Sequence, residues 1–409
     1  MLLNAFLASG ARHLALVNKR YSQDRALKYY DKATKHLLDA LQDPNRDTIL
    51  CATTAVILNV YEIMGERALQ RMNHIAGARA LIKECNWNAR SSGIGAACFW
   101  LNVGMELLSC LHFNWQVAWD PDEWGIDMNM EPETESGREE FWTHRIVYIV
   151  AKVCNFRASI PRDEEAAKQS AQARYVKWMG LTEQADRWNT CIPRTMHPMA
   201  YLYPGQTLSG SCFPEVWLIK RASIVARLFY HTCMCLLAQI NPLQNSDTPE
   251  MHQMLHEHSQ LICGISAHVK DRGVASVALR SLAIAAECLT RRDAQEEVLT
   301  IVDKIRTETG WRVGFINDEL KEKWGWNNQQ EHQPVQAPPQ APPQIQPQPR
   351  IYPMMNPLAG VDFNNAQHPY QEHYIPPNVN IMQQQDLLQT QHGAPSQHQQ
   401  GSNNTYPYY

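Results

Sequence analysis

The chain of 409 residues sets 37 Lys and Arg against 41 Asp and Glu, a formal net charge of −4 before its 16 histidines are counted. That balance argues against a general nucleic-acid binder, which needs surplus cations to displace phosphate counterions. At about 150 residues per domain the length predicts two or three units, and 44% hydrophobic residues are enough for a sizeable core.

In chain order, Met1-Leu2-Leu3-Asn4-Ala5-Phe6-Leu7 is apolar without the basic region of a signal peptide, so it reads as the start of a buried helix. From Gln23 to Leu41 the apolar residues Ala26, Leu27, Tyr30, Ala33, Leu37, Leu38 and Leu41 follow i, i+3, i+4, i+7 spacing, which predicts a helix with Ser22 as its cap and Asp43-Pro44 as its stop. Asp47 opens a second run through Val56, Ile57, Val60 and Met64, and a third covers His74 to about Cys85. Ser91 or Ser92 caps a fourth, with Ile94, Cys98, Leu101, Met105, Leu108 and Leu111 facing inward. Further helices are predicted near 136–156, 163–178, 214–240, 248–270, 274–290 and 293–309. Alternation typical of strands is not seen, and no run of about 18 apolar residues long enough to cross a membrane stands out.

Two stretches break the helical period. Asn114–Glu135 sets Trp115, Trp119 and Trp124 among proline and acidic residues, which suggests an ordered loop pinned by aromatics. Thr190–Pro214 holds four prolines with Gly205 and Gly210, and suits a long crossover between two helical halves. No repeat with the 34-residue period of tetratricopeptide arrays emerges, so the expected architecture is an all-α, irregular multi-helix bundle.

The eleven cysteines are scattered, odd in number and mostly set among Ala, Leu, Val and Met, with no Cys-x-x-Cys pair. They read as reduced, buried small hydrophobes, which predicts a soluble intracellular protein. After Trp326 the composition changes: all 12 tryptophans lie at or before that position, while 329–409 hold 14 of the 24 prolines, 18 glutamines and five charged residues. Proline blocks helix interiors and glutamine offers no apolar face, so the expected division is a helical domain at 1–326 and a disordered Gln/Pro-rich tail at 327–409. Apolar islands at Ile351–Met355, Tyr374-Ile375 and Asp386–Leu388 can anchor a partner but cannot form a core.

Chemical motifs are sparse. There is no Gly-rich phosphate cradle, no Gly-x-Ser-x-Gly elbow and no His-Glu-x-x-His. His252 and His256 share a helical face at a spacing that metal ligands use, but His258 points elsewhere and the cluster reads as a solvated polar face. Cys233 and Cys235 diverge by about 200° around a helix and read as core. Glu139/Glu140 and Glu296/Glu297 read as helix-terminus or solvent-face charges, and Lys19-Arg20 and Arg291-Arg292 as ordinary surface charge. No residue is assigned a catalytic, cofactor-binding or metal-binding role.

Several segments together resemble the fungal-specific transcription factor domain, the helical middle domain of fungal zinc binuclear-cluster regulators, in the branch of cutinase-gene activators. They are Leu2–Ala5 with Ala11-Arg12-His13-Leu14, the Tyr29-Tyr30 helix, Ala55–Leu58 with Tyr61-Glu62, and His74–Ile82 with its Gly77-Ala78 step. Ala97–Trp100, Trp119–Trp124, Phe213–Trp217, Phe229-Tyr230-His231, Thr309-Gly310-Trp311 and Trp324-Gly325-Trp326 complete the set. The resemblance implies a nuclear transcriptional regulator that works with protein partners of the transcription machinery, with a homodimer as one form. Family members carry a six-cysteine, two-zinc DNA-reading cluster before this domain, whereas the ten residues before Ala11 hold no Cys, Lys or Arg. The expectation is therefore either a fragment of such a protein or a zinc-less relative acting through partners. Zinc is expected only with a missing N-terminal cluster, and no direct DNA contact is expected from this chain.

In that reading the tail is either an activation segment with Met354, Met355, Leu387 and Leu388 as anchors or an inert disordered extension. The alternatives are a helical interaction scaffold unrelated to transcription, and a helical enzyme, which would require His144, His252 or His256 beside carboxylates in a cleft.

Overall fold

The computed structural model describes residues 1–64, 68–135, 137–207, 209–311, 314–326 and 374–377. Among these it forms twelve α-helices: α1 Leu2–Val17, α2 Gln23–Leu41, α3 Thr48–Ile63, α4 Ala68–Glu84, α5 Gly93–Phe113, α6 Glu139–Ala158, α7 Glu164–Cys191, α8 Arg221–Gln239, α9 Pro249–His268, α10 Arg272–Ala286, α11 Arg292–Thr309 and α12 Gly314–Lys323. The expected all-α bundle is what forms. Helix starts follow local chemistry: Ser22 accepts from the Asp24 amide, Asp47 from Leu50, Asp163 from Ala166 and Asp271 from Val274, each satisfying a donor that the first turn leaves open. Ser92 holds the cap position of α5 without a side-chain bond, while Ser91 Oγ accepts from the Asn88 amide at 3.0 Å.

One apolar cluster runs through the body, from Ala5 through the inward rows of α3, α5, α6 and α8 to Leu320. α5 is long and apolar enough to cross a membrane by length and composition, but it packs inside this cluster and carries the buried polar residues Asn102 and Glu106. The tryptophan loop is ordered as expected. Trp115, Trp119 and Trp124 are buried, Trp124 Nε1 donates to the Trp119 carbonyl at 3.1 Å, and Phe99 meets both Trp119 and Trp124 edge to face.

Several expectations need correction. α1 is a helix, but only Ala5 and Ala8 are buried; Leu3, Phe6, Leu7, Leu14 and Val17 face outward. α7 does not stop at Trp178 but runs to Cys191, because no proline intervenes before Pro193 and Leu181, Ala185 and Trp188 prolong the inward row. α8 starts at Arg221 rather than Pro214. Glu215-Val216 instead pair antiparallel with Tyr201-Leu202, making a short ribbon, β1 Tyr201–Leu202 and β2 Glu215–Val216, inside the crossover. α10 ends at Ala286, where amides of Cys288 and Leu289 turn back to Ala285 and Ala286. α12 had no sequence signal strong enough to assign it. Of the tail, only 374–377 are described; the remainder, with Met354, Met355, Leu387 and Leu388, lies outside the described residues.

Two glycines fix how the halves meet. Gly310 ends α11 at φ 75°, its amide bonded to the Arg306 carbonyl, and a Cβ there would stand 2.7 Å from Leu16 Cβ of α1. Beside it His13 Nδ1 meets the Thr309 carbonyl at 3.1 Å, joining the first helix to the end of the eleventh. Gly264 of α9 lies so close to the crossover that a Cβ would sit 2.0 Å from the Pro214 carbonyl oxygen. Gly264→Ala is expected to lower the unfolding free energy by about 1–3 kcal/mol through forced displacement of that strand. Gly104→Ala, where a Cβ meets nothing within 4 Å, should be neutral or gain up to about 1 kcal/mol in helix propensity; urea denaturation of the two variants checks the contrast.

Candidate functional site

The residues singled out from the sequence separate in space. His252, His256 and Glu257 are exposed on α9, whereas His258 turns inward and its Nδ1 lies 2.8 Å from Nδ1 of His231 on α8. Cys233 and Cys235 are fully buried, with Cys235 Sγ 3.6 Å from Ser259 Oγ. His144 stacks on Trp100 at 3.7 Å with the rings 6° apart. Among the described residues, no group of three or more His, Cys, Asp or Glu is arranged to hold a metal ion.

The paired carboxylates divide unequally. Glu140 is exposed, but Glu139 is 4% exposed and accepts from Lys220 Nζ and Thr195 Oγ1, both at 2.6 Å. Those bonds hold its carboxyl down at about 2. Glu139 is thus no solvent-face charge; it ties α6 to the approach of α8. Glu296 is exposed and pairs with Arg292 at 2.8 Å, while Glu297 accepts from the Ser211 hydroxyl and the Cys212 amide, fastening the crossover to α11. Arg292 also lies over the Trp326 ring at 3.3 Å.

A largely buried polar group joins Arg227, Tyr230 and His231 of α8 to Asn189 of α7 and His258 of α9. Arg227 Nη1 donates to Asn189 Oδ1 and its guanidinium lies 5.1 Å from the Tyr230 ring. Tyr230 stacks on Trp188, whose indole N–H donates to the Trp142 carbonyl at 2.8 Å. Two imidazole nitrogens at hydrogen-bonding distance require one proton between them, so one ring donates and the other accepts. Burial and the Arg227 charge push His231 far below its ordinary value; burial brings His258 to about 4, with Glu257 partly opposing and Arg227 assisting. Burial likewise lowers His144 to about 4, and burial plus the adjacent Arg280 lowers His112.

These histidines are neutral in the fold, whereas the unfolded chain protonates them near their ordinary 6.5. The unfolded state therefore binds more protons as pH falls, and stability is lost from about pH 6.5 down to about 4. Each histidine contributes up to about 1.4 kcal/mol per pH unit across that window. His144→Phe, which keeps a ring against Trp100, should flatten the pH dependence of the urea midpoint between pH 6.5 and 4 relative to the native chain.

The remaining noteworthy feature is a surface. Leu3, Leu7, Gly10, Leu14 and Val17 line one exposed side of α1 at alternating spacings of four and three, with Phe6 beside them. Leu3 is 71% exposed and Phe6 52%. A seam of that period matches the contact stripe of a packed helix pair, and contiguous exposed apolar patches mark interaction surfaces. A shallow open groove lined by Tyr30, Thr34, Lys35 and Leu38 runs along α2 nearby.

The motif segments turn out to meet one another. Tyr30 stacks on Tyr61 at 4.5 Å and its hydroxyl donates to Glu62. Arg12 lies over the Tyr61 ring at 5.3 Å. Arg79 pairs with Glu106 at 3.5 Å, both side chains 5% exposed. Asp122 of the tryptophan loop accepts from Tyr148 and Lys152 of α6. Sequence reasoning missed the buried state of Arg79, Glu106 and Glu139, since a charge in a helical period carries no sign of its partner across the bundle.

The described residues form an all-helical body whose polar side chains join elements and whose first helix carries an apolar seam on its outer side. The chain belongs to the fungal-specific transcription factor domain family, whose model matches residues 1–332; that family is not an enzyme class. The transcription activator AMTR1 of Alternaria alternata is 27% identical over 212 residues, which cover 46% of this chain and 27% of that protein. The chain thus spans about a quarter of that curated relative's length. No solved structure gives a significant match.

Proposed function

We propose that the chain regulates transcription in the nucleus through protein partners, with 1–326 as the helical regulatory domain and 327–409 as a Gln/Pro-rich recruiting arm. The observation that carries this reading is the family match across residues 1–332; the similarity to a transcription activator supports it. The reading assigns no catalytic residue, no cofactor and no direct DNA contact to this chain, and zinc only to a preceding cluster. Sparse apolar anchors on a Pro- and Gln-rich segment suit recruitment of partners by short contacts, and Met354, Met355, Leu387 and Leu388 are the anchors proposed.

Joined to an unrelated DNA-binding module, the full chain should raise or lower a reporter several-fold, and removing 329–409 should reduce the effect. Unchanged reporter output from the full fusion would favour a scaffold outside transcription.

A second copy of the chain is the partner proposed for the α1 seam. The seam is uncharged and of uniform period, so two copies can pack it isologously. Sedimentation should show a dimer that Leu7→Asp with Leu14→Asp converts to monomer. Helical circular dichroism should stay intact, because both side chains are more than 40% exposed. A native chain that stays monomeric at tens of micromolar would remove this part of the reading.

A further inference from the structure

Tyr374-Ile375-Pro376-Pro377 lies far along the chain from the corner where α2 ends and α4 ends, yet it is seated there. The Ile375 amide donates to the Leu41 carbonyl at 2.8 Å, using an acceptor that the end of α2 leaves open. Arg46 Nη1 donates to the Ile375 carbonyl. Tyr374 Oη donates to Glu84 Oε2 at 2.6 Å, and the Arg46 guanidinium lies 4.9 Å from the centre of the Tyr374 ring.

The body's own residues at the corner also bind one another. Arg46 Nη2 pairs with the other Glu84 oxygen at 3.0 Å, and Nη1 also reaches the carbonyls of Asp43 and Leu41. With the segment seated, Arg46 is 4% exposed. Glu84 Oε2 faces the segment, and the two Nη1 hydrogens of Arg46 are shared among the carbonyls of Leu41, Asp43 and Ile375.

We propose that this corner is a peptide-recognition site for an extended Tyr-x-Pro-Pro segment, and that its resident ligand is the chain's own Tyr374–Pro377 bound in cis. Both main-chain groups of Ile375 are read, which demands an extended backbone. Pro376 disfavours helical geometry at Ile375, and the Pro-Pro step is pre-set in extended form, so little order has to be imposed on binding. Specificity resides in the tyrosine, whose hydroxyl is read by Glu84 and whose ring is read by Arg46. The Ile375 side chain is 43% exposed and leaves its position permissive. Occupancy in cis ties the Gln/Pro-rich arm to the body at a second point beyond Trp326, and a partner segment of the same chemistry would release it by competition. The contact is independent of the transcriptional reading, since it concerns only what the corner binds.

The test uses full-length chains and a fluorescein-labelled peptide of residues 368–381. Tyr374→Ala in the chain empties the corner and leaves Arg46 and Glu84 in place. By fluorescence anisotropy this chain should bind the peptide at least about tenfold more tightly than the native chain, whose own segment competes at high effective concentration. Changing the peptide avoids any question of folding. A peptide with Tyr374→Phe should bind about tenfold more weakly for loss of a charge-assisted hydrogen bond, one with Tyr374→Ala should not bind, and one with Ile375→Ser should bind as well as the parent. Equal binding to native and emptied chains, or none to the emptied chain, would overturn the proposal. A dimer of the native chain that Tyr374→Ala abolishes would place the segment in trans and overturn the cis assignment.

Discussion

The body buries charge near the C-terminal end of α4, and that necessity organises the first half of the molecule. The side chains of Arg79 and Glu106 are each 5% exposed, and those of Arg46 and Glu84 are 1% and 8% exposed. An isolated ion at such depth costs several kcal/mol, and removing one partner of a buried pair typically costs about 3–5 kcal/mol because the other is stranded. Each pair therefore dictates geometry. Arg79 fixes α4 to α5, Glu106 also accepts the Ala118 amide and so places the start of the tryptophan loop, and Arg46 draws the end of α2 against the end of α4. A mixed bundle of this kind would tolerate shifts along its apolar rows; the buried pairs fix which residues face each other.

Long-range hydrogen bonds from indoles do the same work in the second half. Trp178 donates to the Leu237 carbonyl, Trp188 to Trp142 and Trp324 to Ala286, at 2.8, 2.8 and 2.9 Å. A buried indole N–H without an acceptor would cost about 1–3 kcal/mol, so each tryptophan both fills volume and selects one neighbouring carbonyl. Of the residues that resemble the family, Arg79 and Trp324 make contacts of this kind. Arg79 and Trp324 hold elements in place, while the segments on α1 include side chains that face outward.

What could be read in advance follows from the range of the interaction. Helix periods and caps are local, so α2, α3 and the Ser22 and Asp47 caps were legible to the residue or nearly so. The α1 helix was legible but its facing was not: an apolar stretch predicts burial only if a neighbour covers it, and α1 buries its alanines against α2 and α3 while turning its large side chains out. The start of α8 was misplaced because Pro214–Trp217 suits a helix start as well as a strand, and the choice was made by pairing with Tyr201-Leu202. The Arg46 corner was invisible. Tyr374 and Glu84 are 290 positions apart, and a tyrosine among prolines and glutamines reads the same whether or not a receptor exists elsewhere in the chain.

The strength of that corner contact bears on how it can be used. Closing a span the length of 327–373 costs roughly 3 kcal/mol in the ideal-chain limit. Against this stand two charge-assisted hydrogen bonds of about 1.5–3 kcal/mol each and one main-chain bond of about 0.5–1.5 kcal/mol, with a ring–guanidinium contact of about 0.5–2 kcal/mol. The sum exceeds the closure cost by only a few kcal/mol. A segment held by that margin is mostly seated, yet a competitor at modest concentration can displace it. The buried Arg46–Glu84 pair, joined at 3.0 Å between groups of the body, supplies the receptor, and the four-residue ligand supplies the exchange. Receptor and marginal ligand within one chain is the combination that lets an arm be held against the body without being locked there.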